Sequence, residues 1–342
     1  MKIGLVGYQG SGKSTLFEWL TGVRADPSLA HTLQSAMATV HDDRLQALCE
    51  IYHPKKVTEA ALEIVDTPGL NRQHEGNASR LAAIREAGCL VQIVGAFNNP
   101  DVPSDLDGFE EDLLLADLEI VSGRVERLRE SVRKPRPNRD EQLAELAAIE
   151  PLLTTLEAGT PLTDVELTDE QLRTTRSFQL LTLKRRLALI NVADDETDLE
   201  KYSRYSTPRR PVVAVPVGLE LELEKMDPAE REQFRAEMGL ESFDREALVR
   251  RIMDASGQML FFTAGEKEVR TWMIPQGATA VEAADSIHSD LARGFIRAET
   301  MSCEDLIRLG SEREIKAQGL MRQEPKDYRV RDGDILNIRF SV

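Results

Sequence analysis

The sequence predicts an α/β protein. A mostly parallel sheet covered by helices carries an inserted antiparallel helical hairpin and is followed by a small β-grasp-like domain. Three observations predict it. Short β-branched runs alternate with helical patterns through residues 1–109 and return after 186. A heptad spacing takes over near residue 110. The final stretch reads strand, turn, helix, strand. The expected domains are 1–109 with 186–258 (including a polar helical connector), 110–185, and 259–342.

The first element is the apolar run Ile3-Gly4-Leu5-Val6, followed by Gly7-Tyr8-Gln9-Gly10-Ser11-Gly12-Lys13-Ser14, which reads G-x-x-x-x-G-K-S, and then by a helical stretch from Thr15 to Leu20. Successive N–H groups of such a turn form an anion-binding concavity, and the helix behind it points its positive end at the same spot. Gly7, Gln9, Gly10, Ser11, Gly12, Lys13, Ser14 and Thr15 are therefore candidate phosphate contacts. Lys13 is expected to reach the β- and γ-phosphates and Ser14 to hold Mg²⁺. A plain Gly-rich connection is the competing reading, and the position between a strand and a helix weighs against it.

Further strands are expected at Ala61–Val65, Leu90–Val94, Leu187–Ile190 and 211–215. Runs of this kind between helices call for a parallel sheet covered on both faces. The second run leads into Asp66-Thr67-Pro68-Gly69, a D-x-x-G. There an Asp holds Mg²⁺ and a Gly amide meets the γ-phosphate. Leu70 follows, where many GTPases place a Gln that orients the attacking water, which leucine cannot do; His74 is the nearby candidate for that task. Thr32 is the candidate Mg²⁺-sensing threonine, with Ser35 and Thr39 as alternatives.

Base recognition is expected from loops after the later strands. Asn191-Val192-Ala193-Asp194 is N-x-x-D, close to the N-K-x-D of guanine readers, and Val217-Gly218 follows the next strand.

Between these elements, Leu114, Leu118, Val121, Val125, Leu128 and Val132 repeat at heptad spacing, and a second helix is expected from Arg139 to Leu156. The Pro-containing stretch 134–138 separates them, giving a hairpin. Its tip holds Arg127, Arg129, Arg133, Lys134, Arg136 and Arg139 against Glu130 alone. On a chain of net charge −16, that is a local candidate contact for a phosphate backbone, since no overall field draws the molecule to nucleic acid. Solvated surface is the equally weighted alternative. In the C-terminal domain, strands are expected at Glu268–Ile274 and Ile335–Phe340, with one amphipathic helix from Ala280 to Leu291. Cys49, Cys89 and Cys303 are isolated, fit neither a metal site nor a disulfide framework, and suggest a reduced cytoplasmic protein. No apolar run approaches membrane-spanning length, so no membrane partner is expected; a monomer is.

With these pieces placed, the whole chain resembles the Obg-like ATPase family of YchF type. The resemblance is carried by Phe262-Thr263-Ala264-Gly265, Lys267-Glu268-Val269-Arg270, the run Gly294–Thr300, Lys326-Asp327-Tyr328 and Asp332-Gly333-Asp334, with Ile84-Arg85-Glu86 and the run Ser177–Lys184 upstream. It implies a C-terminal TGS domain, binding and slow hydrolysis of ATP or GTP with Mg²⁺, and association with the ribosome or RNA. It also implies a hydrophobic residue at the Leu70 position. Two positions depart from the family. Gly10 stands where an Asn is expected to recruit K⁺, and Asp194 stands where the base motif ends in Glu, which pulls toward guanine while the family pulls toward adenine. Three readings follow: an NTPase switch of the translation machinery, a nucleotide-binding adaptor with negligible hydrolysis, and, least favoured by the D-x-x-G and N-x-x-D, a small-molecule kinase.

Overall fold

Strands without a polar face need cover on both sides, and the inner strands of the first sheet are of this kind. The computed structural model describes residues 1–29, 32–73, 76–99, 101–135, 137–239 and 245–341, with Ala78 described by its backbone alone. In it β1 (Lys2–Val6) is buried from Ile3 onward and β5 (Cys89–Gly95) at every position. β1 lies between β4 (Ala61–Asp66) and β5, parallel to both. β6 (Arg185–Asn191) and β7 (Val212–Val215) continue the parallel pairing, and β2 (Gln34–Thr39) completes the order β2-β4-β1-β5-β6-β7. The carboxyl ends of β1, β4 and β6 thus deliver the three motif loops, as expected for ligand binding on an open α/β sheet.

The chain divides into two compact units, residues 1–36 with 63–244 and residues 37–62 with 245–342. In the first unit α1 (Lys13–Thr21), α3 (Asn77–Ile84) and α7 (Val217–Leu223) follow the strands. α4 (Val102–Ser131) starts under an Asp101 cap and serves two layers. Its first half packs on the sheet through Leu106, Phe109 and Leu113. Its second half packs Val121, Val125 and Leu128 against Ile149, Leu153 and Leu156 of α5 (Arg139–Glu157), the hairpin partner. Leu114 and Leu118 lie at the margin of this seam, only partly buried, because the helix changes partner there. Asp117 is fully buried and satisfied: it accepts the Leu181 and Thr182 N–H groups and pairs with Arg85, anchoring the return to β6.

The second unit is a mixed sheet of order β11-β10-β12-β8-β9-β3, with β8 (Gln258–Thr263) and β9 (Val269–Pro275) as a hairpin. The central β12 (Asp334–Phe340) runs parallel to β8 and antiparallel to β10 (Phe295–Ser302), and β11 (Arg322–Glu324) forms one edge. α10 (Ala280–Ile287) packs Ala280 and Ala283 on Phe261, Ile274 and Leu336, giving the β-grasp-like arrangement. The single helix expected over 280–291 is two. His288 is extended (φ −166, ψ 136), and its Nδ1 accepts the Asp290 N–H to open α11 (Ser289–Arg293). The segment 37–62, assigned by sequence to the nucleotide domain, contributes here. β3 (Val57–Thr58) pairs with β9, and α2 (Asp43–Tyr52) packs Leu45 and Leu48 on Phe262 and Val269. Asp42 caps α2 and is paired with both Arg44 and Arg250.

Candidate functional site

The loop between β1 and α1 ends on Gly12, in the left-handed region (φ 94, ψ 20), with no side chain capping α1. The first N–H groups of this helix are therefore available to an anion. A Cβ at Gly12 would stand 2.2 Å from Asn191 Nδ2, so this position takes only glycine on two counts. Gly7 and Gly10 are left-handed as well (φ 142 and 76), and Thr15 lies in the first turn of α1. The D-x-x-G loop is laced to this loop through backbone bonds: Gln9 N–H donates to Leu70 O (2.9 Å) and Leu70 N–H to Gly7 O (2.9 Å). A Cβ at Gly69 would stand 2.8 Å from Lys13 Nζ, which puts the Gly69 backbone beside the lysine.

Lys13 is buried and holds its Nζ on the Tyr8 carbonyl (2.9 Å). Burial pushes its pKa down to about 8; Asp66 opposes that and Arg80 adds to it. Asp66 is buried at the end of β4 and accepts the Ser14 hydroxyl (2.6 Å). Its pKa is raised, first by burial, with Ser14 and Lys13 holding it back. Its other oxygen, Oδ1, is buried without a hydrogen-bond partner, and so is Ser11 Oγ.

An unpartnered carboxylate oxygen beside a serine hydroxyl fits Mg²⁺, a hard cation that prefers oxygen donors. Mg²⁺ usually takes only one or two carboxylates and fills its shell with water and phosphate oxygens. Thr32 lines the same cleft as Lys13, Ser14 and Asp66, with its hydroxyl donating to Leu29 O (2.9 Å).

The base-side residues are bonded to the loops around them. Asn191 is buried, and its amide is a bracket: Nδ2 donates to Ser11 O (3.1 Å) and Oδ1 accepts the Val217 N–H (3.2 Å). It ties two loops together, and each end of the amide keeps one further hydrogen-bonding site. Val217 contributes through its backbone, its side chain being fully buried. Asp194 is exposed beside Gly218; its Oδ1 accepts the Leu219 N–H (3.0 Å), with no partner for Oδ2 among the described residues. Leu70, at the position where many GTPases place the water-orienting Gln, packs its side chain into the core with Val6, Leu81 and Phe109, so it offers the cleft only backbone. His74 and Arg136 lie outside the described residues.

Comparison with known proteins fits this geometry. The family described as 50S ribosome-binding GTPase matches residues 2–121, and the C-terminal family of YchF GTPases, described as a protein of unknown function, matches residues 259–341. The ribosome-binding ATPase YchF of Haemophilus influenzae is 34% identical over 363 residues, covering 100% of this chain and 99% of that protein. This chain belongs to the YchF family. The Bacillus subtilis YchF is 33% identical, with 99% of each chain covered. The Schizosaccharomyces pombe YchF GTPase structure superposes with a TM-score of 0.83 at 26% identity, covering 99% of this chain and 97% of that one. A GTP-binding protein of Pyrococcus horikoshii shares the fold (TM-score 0.61, 17% identity, 100% of both chains).

Three further residues of this YchF-family chain face the loop. Phe97 is an exposed aromatic, within 4.0 Å of where a Gly12 Cβ would lie, and its N–H donates to Asn191 O. Asn98 Nδ2 donates to Gly10 O (3.2 Å). Arg80 of α3 lines the cleft. None of the three belongs to a spaced motif; the only sequence signal was an aromatic and an amide just past the end of β5.

Proposed function

We propose that this chain binds a purine nucleoside triphosphate, ATP or GTP, together with Mg²⁺, and hydrolyses it slowly as a switch that works on the ribosome. The observation that carries the reading is the phosphate end of the site. An uncapped helix start, a buried lysine and a carboxylate with an unpartnered oxygen converge on one cleft. In this reading Lys13 and the loop amides hold the phosphates, while Ser14 and Asp66, with Thr32 as a further candidate, hold Mg²⁺. When bound, Mg²⁺ supplies charge neutralisation at the phosphates. Gly69, beside Lys13 Nζ, is the γ-phosphate sensor. The test is nucleotide binding and phosphate release by Lys13→Ala. Both should fall to background; wild-type turnover in that variant would sink the assignment.

Purine choice rests on opposing considerations. The bacterial relatives are named ATPases and the fission-yeast relative a GTPase. A free Asp194 oxygen suits the two N–H donors of guanine, which adenine lacks. Phe97 supplies an apolar face for either base. Competition between ATP and GTP on wild type and Asp194→Glu decides it: an unchanged ratio would remove Asp194 from base selection.

The bacterial relatives are named as ribosome-binding, and the exposed cations of the hairpin tip support an RNA contact here. Arg127, Arg133 and Lys134 are the cations proposed to make it. Arg129 is paired with Glu150 and Arg139 donates to Val132 O, which leaves them less to offer. The TGS domain is the second proposed contact. Co-sedimentation with ribosomes across a salt series should weaken with salt, and less steeply when the three cations are replaced by Ala.

The adaptor reading is favoured by one observation, the burial of Leu70, which leaves no side chain at that position to orient water. Phosphate release with and without ribosomes separates the two. Release above background in either condition rejects the adaptor.

A further inference from the structure

The phosphate cleft carries more positive charge than its own residues use. Among the described residues, Lys13 and Arg80 line it with Asp66 as the only carboxylate. Arg80 Nη1 is buried and has no hydrogen-bond acceptor among the described residues. A guanidinium nitrogen removed from water without a partner is costly, and a site tolerates it where a ligand completes the bond. The placement of Arg80 is built in. Asn71 and Asn77 bond reciprocally, Asn71 N–H to Asn77 Oδ1 (2.8 Å) and Asn77 Nδ2 to Asn71 O (2.9 Å). Asn77 is buried at the first position of α3, so this pair fixes where the helix begins, and Arg80 follows three residues later. The charge of Arg80 reaches Lys13, whose proton affinity it lowers. The two cations are thus close enough to share one polyanion.

We propose that Arg80 is a catalytic residue of this site: an arginine finger supplied in cis, whose guanidinium donates hydrogen bonds to the γ-phosphoryl oxygens as charge builds in the transition state. This rests on the nucleotide reading above and adds the group that replaces the missing water-orienting side chain at Leu70 as the main source of rate. In the step, a water oxygen forms a bond to the γ-phosphorus and the bond from that phosphorus to the β–γ bridging oxygen breaks. Its electron pair stays on the nucleoside diphosphate, and both of the water's protons leave with inorganic phosphate, as dihydrogen phosphate. Arg80 makes and breaks no covalent bond. Fingers of this kind contribute about 10³–10⁵ in rate.

The experiment compares wild type, Arg80→Ala and Arg80→Lys in single-turnover hydrolysis of Mg·ATP and Mg·GTP, with diphosphate affinity and trapping of the diphosphate by aluminium fluoride measured in parallel. Expected are a rate loss of about 10³-fold in Arg80→Ala, partial recovery in Arg80→Lys, diphosphate affinity within threefold of wild type, and loss of the fluoride-trapped complex. Arg80→Ala turning over within threefold of wild type overturns the proposal. So does a parallel loss of diphosphate affinity that Arg80→Lys fails to relieve, which would make Arg80 structural. Wild type that binds nucleotide without hydrolysing it overturns Arg80 alone. Wild type that binds neither nucleotide overturns the site reading beneath it.

Discussion

The phosphate end and the base end of the cleft are built on opposite principles. At the phosphate end, polar groups are buried and left incomplete: Asp66 Oδ1, Ser11 Oγ and Arg80 Nη1 have no partner among the described residues, and burial depresses the Lys13 pKa. At the base end the polar groups are already satisfied or open to solvent, with Asn191 bonded at both ends of its amide and Asp194 exposed. Incomplete buried groups are costly in the free protein and are offset when a ligand arrives. Satisfied or solvated ones gain little from it. The phosphates should therefore supply most of the affinity, and the base should only adjust it.

Several substitutions break or sharpen this contrast. The largest effect is expected from Gly12→Ala, which strikes both ends. A left-handed φ of 94 and a built Cβ 2.2 Å from Asn191 should cost about 1–3 kcal/mol from the backbone alone, and more from the contact. Thermal unfolding should shift down by several degrees and nucleotide binding should vanish. A stable, binding variant would show that the loop is not set as described.

Asp66→Asn separates cost from use. The pKa of Asp66 is raised by burial, so ionisation weakens the free protein as pH rises through the carboxylate range, and the amide removes that cost. The free variant should melt no lower than wild type at neutral pH, yet need more Mg²⁺ for nucleotide binding; chelating Mg²⁺ should imitate it. A destabilised variant that binds Mg·nucleotide normally would contradict the role given to Oδ1.

Asn191→Ala comes next. It strips partners from Ser11 O and Val217 N–H, about 1–3 kcal/mol of stability, and as a bracket it should lower ATP and GTP affinity by the same factor. A loss confined to GTP would return Asn191 to direct base reading. The smallest effect belongs to Asp194→Ala, which should weaken GTP by about tenfold and leave ATP unchanged, one charge-assisted hydrogen-bond partner being lost at an exposed site. Equilibrium titration with both nucleotides reads each case.

The same contrast explains what could be read from the sequence. Gly7 to Ser14 and Asp66 to Gly69 were legible because the physics is local: a turn, a helix start and a strand end within a few residues. The parallel sheet was legible from β-branched runs of strand length such as Leu90-Val91-Gln92-Ile93-Val94. What escaped depends on partners far away in the chain. The motif says nothing of the bond that Asn191 makes to Ser11 O, 180 residues away in the chain. Val57 looks like part of the first domain until it is found beside Val269. Arg80 is one arginine among many until its helix start is fixed by Asn71 and Asn77. The heptad seam predicted a helical hairpin correctly, but not that its first arm begins at Val102 and covers the sheet before it meets its partner.

The central claim is that the phosphate end carries the binding. Calorimetric titration of Mg·ATP and Mg·GTP into wild type, Lys13→Ala and Asp194→Ala tests it most directly. The account predicts one site per chain in wild type, a loss of more than about 100-fold for both nucleotides in Lys13→Ala, and no more than about tenfold, for GTP only, in Asp194→Ala. Lys13→Ala binding either nucleotide as tightly as wild type, or Asp194→Ala proving the costlier change, would contradict it.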